Sequence, residues 1–147
     1  MKKDDLSRIE DAKRIVRKMY DQDPFSKWLG IKILDVLPGS CTLEMKVRKE
    51  MTNGFGVAHG GITYSLADSA LAFASNGLGK QAMSVETSIS HLKPVKAGDW
   101  LLARAEEQHV GNKIGLYQIR IVNQKEELVA VFRGHVYRSS RSWNLKK

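Results

Sequence analysis

Cysteine is nearly missing from this chain. Cys41 is the one thiol among 147 residues. A single thiol excludes an internal disulfide and suits a reducing compartment, so a cytoplasmic location is expected. Long apolar runs are missing too: none approaches the ~20 residues that cross a bilayer as a helix. The charged stretch Met1 to Asp5 lacks the apolar centre of a signal peptide, and no membrane association is expected. There is no internal repeat, linker or low-complexity tract. Acidic residues are outnumbered, 16 against 24 Lys and Arg, leaving a net charge of +8. The positive charge is spread along the chain, with extra at the ends in Lys2, Lys3, Arg138, Arg141, Lys146 and Lys147. Neither zinc-finger spacing nor an aromatic-plus-basic signature accompanies it, so no nucleic-acid partner is expected. The charge reads as a solvated surface, some of it useful toward phosphates. Hydrophobic content of 42% and charged content of 27% are ordinary for one soluble domain, taken here as 1–147.

What is present falls into two parts. From Asp4 to Tyr20, Leu6, Ile9, Ala12, Val16 and Met19 recur at helical spacing, predicting an N-terminal amphipathic helix over about 4–20. Pro24 breaks that pattern, and Phe25, Trp28 and Leu29 form an apolar patch in a short turn or helix. Ile31 to Leu37 and the alternating run around Leu43, Met45 and Val47 flank Pro38-Gly39 and predict a hairpin. A second helix, apolar over most of its circumference, is expected from about Gly61 to Ser75 and should be buried. Strands are expected at Ala82 to Leu92, Trp100 to Val110, Lys113 to Asn123 and Leu128 to Tyr137. The class is α+β: a strongly curved antiparallel sheet wrapped around one long central helix, with a core over about 28–138.

The chemistry concentrates in Asn53-Gly-Phe-Gly-Val-Ala-His59-Gly60-Gly61, followed by the buried helix with Asp68 inside it. Glycines at a helix start let a ligand approach unpaired N–H groups at the positive end of the helix dipole. A carboxylate among Leu66, Ala67, Ala70, Leu71 and Ala72 is a candidate base or nucleophile. Together these are an oxyanion site and an acid/base group, the two parts that acyl transfer needs. His59, His91, His109 and His135 are scattered and Cys41 stands alone, so no metal site is expected. A Ser or Cys nucleophile motif is also missing.

His-Gly-Gly opening the buried helix, Asp68 nine residues after His59, Asn53 six residues before it, and the stretch Ser84-Val-Glu-Thr-Ser-Ile-Ser-His-Leu-Lys-Pro-Val-Lys-Ala-Gly-Asp99 resemble the hotdog-fold acyl-CoA thioesterases. The PaaI-like branch, from phenylacetic acid degradation, is the nearest in pattern. The resemblance covers roughly Trp28 to Arg138. It implies hydrolysis of an acyl-CoA, an aryl-acyl group such as phenylacetyl among the choices, to a free acid and coenzyme A with no cofactor. It also implies a homodimer with sheets side by side, often doubled to a homotetramer. By position, Asp68 would be the general base or nucleophile and the Gly60 N–H would polarise the thioester carbonyl. Asn53 would position carbonyl or water, His59 would shape the site, and Ser84 would support the substrate or the water. After Asp68 the helix carries Leu71, Phe73 and Ala74 where this branch often has further small or polar residues, so the acyl pocket is expected to differ in shape.

Each residue also has a plainer reading. Asn53-Gly54 is a turn signal, paired glycines serve close packing, and a strand serine such as Ser84 is ordinary. Any one of Lys93, Lys96, Lys113 and Arg138 is a solvated charge; as a group they could meet the phosphates of coenzyme A. Phe25, Trp28, Phe55 and Phe73 would suit an aryl group or a core equally well. Two other functions share this fold: a non-catalytic acyl-CoA-binding regulatory module, which would not need Asp68, and a dehydratase or hydratase using a His–acid pair. Helix geometry adds one expectation. Gly61 and Asp68 are separated by roughly 10 Å of helix, too far to serve one carbonyl. Active sites shared between two-fold-related subunits follow.

Overall fold

The computed structural model describes residues 3–145; Lys2, Lys146 and Lys147, counted above among the terminal charges, lie outside the described residues. Helix α1 (Lys3–Asp21) has Asp4 and Asp5 in its first turn and Lys18 in its last, charges that complement the helix dipole. Its buried residues are Ala12, Ile15 and Val16, whereas Leu6, expected on the apolar face, is half exposed. Pro24 starts a helix as well as ending a pattern. It occupies the first turn of α2 (Pro24–Leu29), where its fixed φ is an advantage, while Asp23 caps the Ser26 N–H.

Strands β1 (Lys32–Leu37) and β2 (Ser40–Lys46) form the expected hairpin, turning at Gly39 with φ 82°. A loop follows, and then helix α3 (Gly60–Asn76). Strands β3 (Lys80–His91), β4 (Trp100–Val110), β5 (Ile114–Val122) and β6 (Leu128–Ser142) complete one six-stranded sheet. Its order is β1-β2-β4-β5-β6-β3 and every pairing is antiparallel. The sheet packs around α3, which touches all six strands.

Strand β6 runs five residues past the expected end at Tyr137, so the core boundary at 138 was too short. Ser139, Ser140 and Arg141 show no apolar alternation because backbone pairing extends the strand here. Lys80, at the start of β3, pairs with Ser142. Close to Ser84 the two strands slip register. Ser84 faces Val136 and Glu86 faces His135, so Val85 is an extra residue in β3. Such bulges bend a strand and re-aim its side chains. Met83 and Val85 are 76% and 62% exposed on this outermost strand.

The core lies between α3 and the sheet, with Leu66, Leu71 and Phe73 against Leu43, Tyr117, Ile119 and Phe132, all buried. Gly134 brings α3 close: a β-carbon there would sit 2.5 Å from Leu71 Cδ2. Cys41 is buried, and desolvation pushes its thiol up to about 12, so it stays protonated. Leu66 has no exposed surface. Leu66→Ala should therefore destabilise the fold by about 2–5 kcal/mol, the range for opening a cavity in a packed core. A urea titration would show this as a lower midpoint at unchanged slope.

Candidate active site

The loop before α3 is built by its own hydrogen bonds. Asn53 Oδ1 accepts from the Phe55 N–H at 2.9 Å and the Val57 N–H at 3.4 Å, closing an Asx turn. The Asn53 N–H donates to the Val57 carbonyl, and the His59 N–H donates to the Met51 carbonyl. His59 is the N-cap of α3: its ring Nδ1 accepts from the Gly61 N–H at 2.9 Å. An accepting Nδ1 leaves the neutral ring's proton on Nε2.

These bonds account for most of the first turn. The Gly61 N–H goes to the His59 ring and the Ile62 N–H to the His59 carbonyl. Among the described residues the Gly60 N–H has no hydrogen-bond partner. It lies in a cavity of about 390 Å³ walled by Val57, Thr63, His91 and Lys93. A β-carbon on Gly60 would come within 3.2 Å of His91 Nε2, so the missing side chain keeps this donor open. The Thr63 hydroxyl donates to the Gly60 carbonyl and lies 3.3 Å from His91 Nδ1. His91 and Thr63 were not singled out from the sequence. His91 sits 31 residues beyond Gly60, and only the pairing of β3 brings it there.

Asp68 is elsewhere. Eight residues along the helix separate it from Gly60, about 12 Å at 1.5 Å per residue. It lines a second cavity of about 510 Å³ together with Ser84. The carboxylate is half buried, with no hydrogen bond or ion pair among the described residues, and desolvation raises its pKa above the usual carboxylate value. The expected residues thus form two groups within one chain: Asn53, His59 and Gly60 at the helix start, and Asp68 with Ser84 halfway along it. The two cavities share no residue.

The four cations do not gather within one chain. Lys93 is beside the Gly60 cavity, where it pairs with Glu127 at 3.5 Å. Lys96 lies in the loop leading to β4. Arg138 donates to the Gly111 carbonyl and the Lys113 ammonium sits over the Tyr137 ring. His91 pairs with Ala130 and Ala82 with Arg138, so these two groups lie at opposite ends of β3, roughly 27 Å apart at 3.4 Å per residue. The aromatic expectation also changes. Phe73 is core, Phe25 and Trp28 stack on each other outside, and Phe55 is almost fully exposed. The aromatic that lines the Asp68 cavity is Trp143, in a tail that shows no motif.

Residues 55–130 match the thioesterase superfamily. Acyl-coenzyme A thioesterase PaaI of Escherichia coli is 42% identical over 120 residues, covering 82% of this chain and 86% of that protein. The structure of the E. coli PaaI protein from the phenylacetic acid degradation operon superposes with a TM-score of 0.89 at 39% identity, covering 91% of this chain and 97% of the other. A mutant of the phenylacetic acid degradation protein PaaI from Thermus thermophilus matches at TM-score 0.77 and 38% identity, over 80% of this chain and all of that one. A Streptococcus mutans protein bound to acetyl CoA matches at TM-score 0.75 and 25% identity, over 77% and 91% of the two chains.

Proposed function

Since the chain belongs to the thioesterase superfamily and to its PaaI-like branch, we propose that it hydrolyses acyl-CoA thioesters to a free acid and coenzyme A. The observation that carries this reading is a pair of unsatisfied groups: the Gly60 N–H at the positive end of α3, and the desolvated Asp68 carboxylate. The thioester carbonyl accepts from the Gly60 N–H, and that bond strengthens as the oxygen becomes anionic. Asp68 takes a proton from water while the water oxygen bonds to the carbonyl carbon. The tetrahedral intermediate then expels the sulfur, which leaves as the coenzyme A thiol with the proton held by Asp68. Alternatively, Asp68 attacks the carbonyl directly and water cleaves the resulting anhydride. One turnover in oxygen-18 water separates the routes. General-base catalysis labels only the product acid, whereas direct attack followed by hydrolysis at the Asp68 carbonyl leaves label in the enzyme.

The separation of the two groups supports a site made by two subunits. Among the described residues the outer edge of β3 pairs with no other strand, and Met83 and Val85 are exposed beside it, an aggregation-prone edge if left uncovered. A homodimer pairing β3 with β3 about a two-fold axis covers it and sets the two α3 helices antiparallel. The Gly60 end of one helix then meets Asp68 of the other, and two such dimers form a homotetramer. Lys93 from one chain and Lys113 and Arg138 from the other come to the same end of this interface, where they serve the phosphates. In this reading the Asn53 Nδ2 amide and the His59 Nε2–H face the substrate, and Ser84 holds the water beside Asp68. The protein works in the cytoplasm.

The substrate is an acyl-CoA with an uncharged acyl group, phenylacetyl included. A thiol-release assay over acetyl-, hexanoyl-, benzoyl- and phenylacetyl-CoA should show turnover of at least one ester with kcat/KM above about 10⁴ M⁻¹s⁻¹, the lower end for working enzymes. Binding of every ester without thiol release would instead identify a regulatory module. The pH profile should follow Asp68. Burial holds its pKa above the ordinary carboxylate range, and the base works only when ionised. So kcat/KM should fall as pH drops through that raised pKa, at a higher pH than an exposed aspartate would give.

A further inference from the structure

We propose that Trp143 is the end wall of the acyl site and sets how long an acyl group the enzyme accepts. The inference rests on the assignment of Asp68 to the reacting carbonyl. Asp68, Ala72 and Asn76 are spaced four residues apart, so they form one stripe along α3. The cavity follows this stripe for about 12 Å, from Asp68 to Asn76. Leu71 lines it as well, and Met19 of α1 forms one side. Asp68 is the one charged residue among those lining it. Phosphates have no cation to meet there, whereas an uncharged acyl chain covers the apolar surface of Met19, Leu71, Ala72 and Trp143.

Trp143 closes the far end and is held in place. Its indole N–H donates to Asn76 Oδ1 at 2.9 Å, and its backbone N–H donates to the Gly79 carbonyl at 2.9 Å. Asn76 is itself buried and fully engaged. Its Nδ2 donates to the Ala72 and Ala82 carbonyls, and its Oδ1 also accepts from the Ala82 N–H. After Trp143, the carbonyls of Asn144 and Leu145 accept from Lys18 and Arg14 of α1. The wall is an aromatic plane whose rotation is fixed by the bonds to Asn76 and Gly79. Both Trp143 and Met19 lie outside the stretch 55–130 that matches the superfamily. The length limit is thus supplied by segments outside that stretch.

The test measures kcat/KM for acetyl-, hexanoyl-, decanoyl- and phenylacetyl-CoA in wild type and three variants. Trp143→Ala should raise the decanoyl-to-acetyl ratio at least about tenfold, since even single methylenes in an apolar pocket are discriminated on that scale. Trp143→Phe keeps a wall but loses the bond to Asn76, and should shift the ratio less. Ala72→Leu fills the groove one turn beyond Asp68 and should lower the same ratio. Melting temperature and oligomer size establish that each variant folds. If Trp143→Ala does not, Ala72→Leu carries the test alone. A Trp143→Ala enzyme in which every ester changes by one common factor overturns the proposal, as does an Ala72→Leu enzyme with an unchanged ratio. Failure of the Asp68 reading is seen separately, as undiminished turnover by Asp68→Asn.

Discussion

Asp68→Asn should lower kcat by roughly 10²–10⁴, the scale for losing a general base, while KM changes little. The substitution keeps size and polarity, with an NH₂ donor in place of one carboxylate oxygen, but cannot accept the proton or attack the carbonyl. It should also make the protein more stable at neutral pH, and the sign follows from the raised pKa. The folded state holds the Asp68 proton more tightly than the unfolded state does. Above the unfolded pKa, ionisation therefore favours unfolding, and the strain persists once pH exceeds the folded pKa. An amide carries no charge to desolvate, so the variant should melt higher at pH 7, and the difference should shrink as pH falls toward the unfolded pKa. Steady-state kinetics and melting curves on one preparation test both statements. Wild-type kcat in Asp68→Asn would remove the carboxylate from the mechanism. Slow turnover with unchanged melting would remove the desolvation argument.

Gly60→Pro tests the other half of the site with little disturbance of the fold. Proline lacks the N–H, and Gly60 is the first residue of α3, where proline is well tolerated. His59 precedes it at φ −59° and ψ 138°, a backbone that a following proline permits. The one close neighbour is the end of the His91 ring, which needs to move by tenths of an ångström. We expect kcat to fall by about 10²–10³, as for the loss of one oxyanion donor. Combined with Asp68→Ala, this variant decides where the two groups act. Homodimers of either variant should be nearly inactive. In a purified mixed dimer, one site would carry both defects and the other neither. Such dimers should recover about half of wild-type activity if the sites are independent. Mixed dimers as inactive as their parents would place both groups in one chain, against the 12 Å that the helical rise puts between them.

Much of this was legible from local pattern. The α3 helix, the β1–β2 hairpin and the existence of every strand follow from apolar pattern and turn residues, most clearly in β2, β4 and β5, whose burial alternates along the strand. The loop from Asn53 to Gly61 was legible as a turn into a helix, since the Asn53 and His59 side-chain bonds that shape it span at most four residues. What escaped depends on pairing between distant segments. The last turns of β6 are held by β3, not by an apolar face. His91 reaches Gly60 only across the sheet. Trp143 reads as a lone aromatic in a polar tail until Asn76, 67 residues earlier, is placed beside it. The aromatics with the most visible clustering, Phe25 and Trp28, turned out to contact each other.

The two bonds from α1 to the tail close loops of 131 and 126 residues, nearly the whole chain. Exposed polar contacts stabilise so long a closed loop little, so this latch forms after the sheet and helix are in place. By the same reasoning it opens first, in a local excursion far less costly than global unfolding. Asn144 and Leu145 therefore behave as a clasp that lifts from α1 and resettles many times in the life of one folded molecule, while Trp143 stays on Asn76 and the sheet behind it stays paired.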